Sequence, residues 1–285
     1  MSQPRIAHVG CGYWGKNLAR NFAELGALEA IVDGHPETAE RISIATGARI
    51  ATLEEVLADP AIDAISVATP AETHFDLALQ ALESGKHVYG EKPVALAPQD
   101  AEKLIEVAAR HDRRLMVGHL LQYHPIFRKM RELVRSGAIG ELGYVYSNRM
   151  SLGKFRIEEN VLWSFAPHDV SMLLSLVDSD CVGVSAQGAA IVTPGIEDWA
   201  LVQLRFGNGL KGHIQTSWLH PFKEQRLVAI GSQGMLVFED SAPEWNDKLR
   251  LYRHQIDQSG SVPVPQAGNC EAIVLEKSGP LGNEC

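Results

Sequence analysis

The sequence lacks the features that mark several large classes of protein. Only four of its 285 residues are cysteine, and none of them forms a C-x-x-C pair. We therefore expect no zinc or thiol redox motif of that spacing, but four free thiols in a reducing compartment. Apolar runs are short, and none approaches the ~18–20 residues that a membrane-spanning helix needs.

Positive charge is also scarce. The chain has 26 Lys and Arg against 35 Asp and Glu, which gives a formal net charge of −9. An acidic surface argues against nucleic acid or an anionic membrane as a partner, because their phosphates attract basic proteins. A strand-like run begins already at Arg5, leaving no room for a secretory signal before it, so we expect a cytoplasmic protein.

In the first 119 residues, short apolar runs alternate with amphipathic stretches. This alternation predicts an α/β fold, with a parallel sheet covered by helices on both faces. We interpret residues 1–119 as a Rossmann domain, whose ligands bind at the carboxyl ends of its strands. The predicted strands are residues 5–9, 28–32, 49–51, 64–68, 87–89 and 114–117.

The loop after the first predicted strand has the spacing G-x-G-x-x-G, formed by Gly10, Gly12 and Gly15. In a dinucleotide site these glycines allow a tight turn, close approach of a pyrophosphate, and close packing of helix on strand. Asp33 follows Gly15 by eighteen residues (33 − 15), near the ~20 expected of a ribose-binding carboxylate. The alternative is a structural glycine turn beside a surface Asp. No Arg follows Asp33 to hold a 2′-phosphate, so NAD is favoured over NADP.

Two more strand ends carry candidate site residues. Thr69-Pro70 follows the fourth predicted strand, and Glu91-Lys92-Pro93 follows the fifth. Beside a cationic nicotinamide, burial would favour the neutral amine of Lys92, which is the form that accepts a proton. The predicted cofactor contacts are Gly10, Gly12, Tyr13, Trp14, Gly15, Asp33, Thr69, Pro70, His74, Glu91 and Lys92.

Together these motifs resemble the Gfo/Idh/MocA oxidoreductase family, over residues 5 to about 240. The resemblance rests on Val67–His74, Ser84–Val88, Glu91–Pro93, Val117–His119 and Tyr123–Pro125. It implies a second α/β domain over residues 120–285, with a large, mainly antiparallel open sheet and a shortened C-terminus. It also implies a homo-oligomer, specifically a tetramer.

The sequence of the second half agrees with such a domain. Alternating runs predict strands at residues 144–151, 198–206, 210–218, 226–230, 235–238 and 248–252. Residues 126–134 have the apolar spacing of an amphipathic helix. The tail from Gln258 is polar and rich in turn residues, so we expect it to be poorly ordered.

Within the family, residues 10–17 and 149–169 look most like UDP-N-acetyl-2-amino-2-deoxyglucuronate 3-dehydrogenases of the WlbA/WbpB type. Those enzymes oxidise the sugar C3 hydroxyl to a ketone with NAD, for bacterial surface polysaccharide. A nucleotide sugar carrying a diphosphate and a carboxylate calls for basic side chains. The predicted substrate contacts are Arg149, Lys154, Arg156, Asn160 and His168, and no metal is predicted.

Two predicted residues compete for the proton-transfer role. Lys92 is the first, and His168 is the second, because an imidazole titrates near neutral pH. Family members often carry an Asp four residues before this His, on the same helix face. Ser164 stands there in this chain, which leaves the choice between Lys92 and His168 open. Together with the short C-terminus, Ser164 also leaves open a non-catalytic NAD-binding sensor. A further alternative is a family dehydrogenase that acts on a free sugar or inositol.

Overall fold

The computed structural model describes residues 3–153, 155–157, 159–257, 259–277 and 279–285. It divides into two compact units: residues up to His119 together with Leu281–Cys285, and Leu120–Pro280. Within the described residues, no helix is long and apolar enough to cross a membrane.

The first unit is built on a parallel sheet, as predicted. Among the described residues the strand order is β3-β2-β1-β4-β5-β6, so the order reverses between β1 and β4. A reversal of this kind opens a crevice at the carboxyl ends of the two strands. The strands are β1 Ile6–Val9, β2 Leu28–Val32, β3 Arg49–Ile50, β4 Ala64–Val67, β5 His87–Glu91 and β6 Leu115–Gly118. The helices are α1 Gly15–Glu24, α2 Pro36–Thr46, α3 Leu53–Ala58, α4 His74–Glu83 and α5 Pro98–Arg110.

The centre of this sheet contains one polar pair within its apolar core. His8 on β1 and Ser66 on β4 are fully buried, and His8 Nδ1 lies 3.0 Å from Ser66 Oγ. Burial lowers the pKa of His8 from 6.5 to about 4, so its ring is neutral at pH 7. The hydrogen bond to Ser66 satisfies one ring nitrogen of a side chain that water does not reach.

The second unit contains the predicted large sheet, which is open and mainly antiparallel. In the described part of the chain its order is β16-β13-β12-β11-β7-β10-β9-β8, and only β7 and β10 pair in parallel. Its strands are β7 Leu142–Leu152, β8 Cys181–Ala189, β9 Trp199–Phe206, β10 Lys211–Ser217, β11 Leu219–Gly231, β12 Gly234–Glu239, β13 Leu249–Tyr252 and β16 Cys270–Ala272. The other elements of this unit are α6 Pro125–Arg135, α7 Val161–Leu176, β14 Gln255–Asp257 and β15 Val264–Gln266, and the chain ends with α8 Pro280–Glu284, of which all but Pro280 belongs to the first unit.

Helices α6 and α7 pack on one face of this sheet and form its core. Phe127 and Met130 of α6 are fully buried, as is Leu173 of α7. The opposite face carries aromatic side chains, with the Tyr146 and His213 rings stacked 5.1 Å apart. An open cavity of about 630 Å³ lies on it, lined by Tyr146, Arg226 and Tyr252 among others. The homo-oligomer expected from sequence stays a prediction.

The tail differs from the sequence prediction in two ways. It is not without structure: β14 pairs with β15, and β16 adds to the edge strand β13, although Gln258 itself lies outside the described residues. Its last five residues belong to the first unit rather than the second, because Leu281 and Cys285 pack against the buried core around Phe22. Backbone pairing and two apolar contacts supply an order that the polar composition does not reveal.

Candidate active site

The glycine loop joins β1 to α1 at the point where the strand order reverses. Gly10 has a φ of +93°, which favours glycine, and a Cβ there would lie 2.7 Å from Thr69 Cγ2. A Cβ at Gly15 would lie 1.8 Å from the carbonyl oxygen of Gly10. At Gly12, a Cβ would meet no described atom within 4 Å. Two of the glycines are therefore required by the protein's own packing, whereas the third borders open space that fits a dinucleotide phosphate.

Substituting Gly12 and Gly15 should separate these two roles. We expect Gly15→Ala to destabilise the first unit by about 3 kcal/mol or more, because its Cβ overlaps backbone. We expect Gly12→Ala to keep the unfolding midpoint of the wild type and to weaken NAD binding about tenfold or more, since its methyl group enters the phosphate space. Thermal unfolding and a fluorescence titration with NAD measure the two effects. Equal losses of stability in both variants would contradict this division.

Asp33 stands at the carboxyl end of β2, beside the glycine loop. Its Oδ2 accepts a hydrogen bond of 2.6 Å from the Cys11 N–H, and its Oδ1 accepts one of 2.8 Å from the His35 N–H. A carboxylate oxygen can accept more than one hydrogen bond, so these contacts orient Asp33 and leave it able to accept from ribose hydroxyls. The geometry fits the predicted ribose contact.

Predicted site residues stand at the ends of β4 and β5. Thr69 Oγ1 lies 2.6 Å from Thr73 Oγ1 just after β4. Glu91, at the end of β5, accepts hydrogen bonds from Trp14 Nε1 at 2.6 Å and from the Lys92 N–H at 3.1 Å. Burial raises the pKa of the Glu91 carboxyl above its ordinary value, and these two hydrogen bonds oppose the rise. Trp14 thus ties the glycine loop to the segment that carries Lys92.

His119 is a site residue to which sequence reasoning gave no role. It follows β6, and its Nδ1 is buried without a hydrogen-bond partner among the described residues. Burial, and then the positive charge of nearby Lys92, lower the pKa of its ring. Its position directly after a strand of the Rossmann sheet could have identified His119 as a candidate site residue.

The remaining predicted residues lie in the second unit, around helix α7. His168 is half-buried on α7, and Ser164 precedes it by one turn on the same face. Asn160 caps the helix: its Oδ1 accepts from the Trp163 N–H at 3.2 Å, and its Nδ2 donates to Glu197 Oε2 at 2.9 Å. Both ends of the Asn160 amide therefore hold the start of the helix that carries His168.

Arg149 is buried on β7 in an ion pair with Asp169, the residue after His168. Arg149 Nε lies 2.6 Å from Asp169 Oδ2, and Nη2 lies 3.3 Å from Oδ1. Asp169 Oδ1 also accepts a hydrogen bond of 2.5 Å from Ser147 Oγ. The structure thus gives Arg149 a structural role in joining β7 to α7, and its substrate contact stays a prediction.

The other two basic candidates differ in what the structure describes. Arg156 is exposed and forms an ion pair of 2.8 Å with Glu159. An exposed pair of this kind contributes little to stability, so Arg156 can exchange its partner for an anionic ligand. Lys154 lies outside the described residues.

Comparisons with known proteins identify both halves of the chain. The family model described as "Oxidoreductase family, NAD-binding Rossmann fold" matches residues 4–119. The model of the GFO/IDH/MocA C-terminal domain matches residues 127–237.

Individual relatives agree with these models. UDP-N-acetylglucosamine 3-dehydrogenase of Acidithiobacillus ferrooxidans is 28% identical, over 100% of this chain and 87% of that protein. Its solved structure matches with a TM-score of 0.85 and 25% identity, over 99% of this chain and 86% of that one. Inositol 2-dehydrogenase of Rhizobium meliloti is 27% identical, over 84% and 76% of the two chains.

A second solved structure, GenD2 from gentamicin A biosynthesis in complex with NAD, has the same fold. Its TM-score is 0.80 at 23% identity, over 100% of this chain and 83% of that one. The glycine loop and Asp33 fit the cofactor that the family model names, so NAD is the cofactor and the reaction is dehydrogenation at a CH–OH group. The chain belongs to the Gfo/Idh/MocA oxidoreductase family.

Proposed function

We propose that this protein oxidises the C3 hydroxyl of a UDP-N-acetylglucosamine-type nucleotide sugar to a ketone, with NAD as the oxidant. The observation that carries the proposal is the full-length similarity to a UDP-N-acetylglucosamine 3-dehydrogenase, which covers 100% of this chain. The site supports it with a dinucleotide loop, a strand-end carboxylate at Asp33 and a strand-end amine at Lys92.

The residues of this chain have distinct parts in such a reaction. When bound, NAD supplies the acceptor for the hydride that leaves the carbinol carbon. Lys92 removes the hydroxyl proton, because an amine after β5 lies at the carboxyl edge of the sheet, where ligands of such sheets bind. Glu91 and Trp14 hold the segment on which Lys92 stands. His168, on helix α7, is the alternative candidate for this proton transfer that the sequence offers.

The charges of the second unit bear on which sugar is bound. The sequence favoured a uronate, whose carboxylate needs a cation besides those that bind the diphosphate. The positive charge of Arg149 is already balanced by the Asp169 carboxylate, although its substrate contact stays a prediction. Arg156 remains accessible. We therefore favour UDP-N-acetylglucosamine, whose sugar carries no carboxylate, over the uronate, and the surface-polysaccharide role stays a prediction.

A panel of substrates tests the proposal. The protein and NAD⁺ are mixed with UDP-N-acetylglucosamine, UDP-N-acetylglucosaminuronate, glucose or myo-inositol, and NADH is followed by absorbance. We expect a signal with the two UDP sugars, the stronger one with UDP-N-acetylglucosamine. A signal only with myo-inositol would replace the proposal by an inositol dehydrogenase, to which this chain is also similar. If none of the four compounds produced NADH while the protein still bound NAD, the non-catalytic sensor would be favoured.

A further inference from the structure

His74 connects the two loops that follow β4 and β5. Its Nδ1 lies 2.7 Å from the carbonyl oxygen of Pro93, and its Nε2 lies 2.8 Å from the carbonyl oxygen of Thr69. The side chain is buried, with 3% of the residue exposed. Both ring nitrogens therefore contact backbone carbonyls and link the two loops, and the cofactor contact of His74 stays a prediction.

The chemistry of these two contacts restricts the residue at this position. Carbonyl oxygens only accept hydrogen bonds, so each nitrogen of His74 has to donate to satisfy its contact. The doubly protonated ring donates twice, whereas the neutral ring donates once and turns a lone pair toward the other carbonyl. Two charged groups lie close by: the Glu91 carboxylate, with which His74 interacts electrostatically, and the neighbouring Lys92. Histidine places two nitrogens on opposite sides of a short ring, so that one side chain reaches both carbonyl oxygens.

The link made by His74 affects the position of Lys92. Pro93 directly follows Lys92, so fixing the Pro93 carbonyl relative to Thr69 fixes the backbone from which the Lys92 side chain extends. We propose that His74 is a positioning residue for Lys92 and that it fixes the position of the Lys92 amine relative to the end of β4. This inference rests on the function proposed for Lys92. A displacement of ~1 Å at a reacting group costs about 10²-fold in rate, which makes such a link measurable.

His74→Ala tests the link, with His87→Ala as the matched control. His87 stands at the other end of β5, where its Nδ1 accepts a hydrogen bond of 2.9 Å from the Arg114 N–H. We expect both variants to lose some stability, but only His74→Ala to lower kcat, by about 10²-fold. His74→Asn keeps a donor near the position of Nδ1 and should recover part of kcat. It also carries the test if His74→Ala does not fold.

A second readout needs no sugar substrate. Trace acetylation with acetic anhydride, followed by mass spectrometry, reports the reactivity of Lys92 relative to the exposed Lys103. We expect NAD⁺ to protect Lys92 in the wild type, and this protection to be lost in the folded His74 variants while NAD⁺ still binds. That result supports the link even if no tested sugar is oxidised, in which case only the proposed function fails.

Two outcomes would overturn the link. One is a His74→Ala protein that keeps both the wild-type kcat and the protection of Lys92, with a loss of stability like that of His87→Ala. The other is the absence of NAD⁺ protection of Lys92 in the wild type, since Lys92 would then not lie at the cofactor.

Discussion

Replacing Lys92 by Met should lower kcat by about 10³-fold while NAD binds with nearly unchanged affinity. Positioned acid–base groups contribute ~10²–10⁴-fold to rate, and Met keeps an unbranched stem of similar length without the amine. The glycine loop and Asp33 are untouched, so the cofactor keeps these contacts. NADH formation under saturating sugar measures kcat, and a fluorescence titration measures the affinity for NAD.

Two further variants make the Lys92 result decisive. Lys103→Met removes an exposed lysine from α5 of the same unit and should leave kcat within about twofold of the wild type. His168→Asn removes the competing proton-transfer group from α7. If His168→Asn lost the full 10³-fold and Lys92→Met did not, the proton acceptor would be His168 and the role given to Lys92 would be wrong.

Breaking the Arg149–Asp169 pair should destabilise the second unit by about 3–5 kcal/mol, the usual cost of leaving one buried charge uncompensated. Asp169 is 1% exposed and Arg149 is 7% exposed, so water cannot replace the lost partner of either side chain. Asp169→Asn and Arg149→Met each leave one member alone. Urea unfolding, followed by the fluorescence of Trp218, which is buried in the same unit, measures the loss.

The controls separate a buried pair from an exposed one. Arg20→Met removes one member of an exposed pair on α1, with 64% and 67% of the two side chains accessible, and should cost less than about 1 kcal/mol. The double variant Arg149→Met with Asp169→Leu should recover much of the loss, because no charge then remains buried without its partner. If Arg149→Met kept the wild-type stability and only raised the KM for the sugar, Arg149 would be a substrate contact rather than a structural residue.

The Rossmann half was predictable because its signals are local. Each buried strand is a short apolar run, such as Ile6–Val9 and Ala64–Val67, and each site residue follows the end of a strand. The sequence predicts a separate role for each glycine of the loop, and the structure confirms two of them. Gly10 adopts a positive φ in the tight turn, and Gly15 allows close packing against the backbone. The role of a residue can be predicted from the sequence alone when its conformation is determined by the loop in which it lies.

The second half was less predictable because pairing partners decide its strands. Strand β8, Cys181–Ala189, contains Gly183 and Gly188 and was not predicted; it is held by its pairing with β9. Strand β11 extends back to Leu219 through Pro221, with an irregular register against β7. Propensity cannot identify such segments, because their backbone groups find partners far away in sequence.

Contacts with residues that are distant in the chain were also not predicted for individual site residues. His74 was predicted as a cofactor contact, and Arg149 as a substrate contact, from their positions in motifs. These contacts stay predictions, and the structure adds partners within the protein that are 5, 19 and 20 residues away in the chain, at Thr69, Pro93 and Asp169. A motif places a residue near a site, but only the fold shows whether its side chain faces the ligand or a neighbouring loop.

The most direct test of the central claim uses UDP-N-acetylglucosamine carrying deuterium at C3. We expect the protein to reduce NAD⁺ with this sugar, to do so more slowly than with the unlabelled sugar, and to transfer the deuterium to the nicotinamide ring. Turnover at an equal rate with the deuterium retained in the sugar would show that oxidation occurs at another carbon, and no turnover with intact NAD binding would contradict a 3-dehydrogenase altogether.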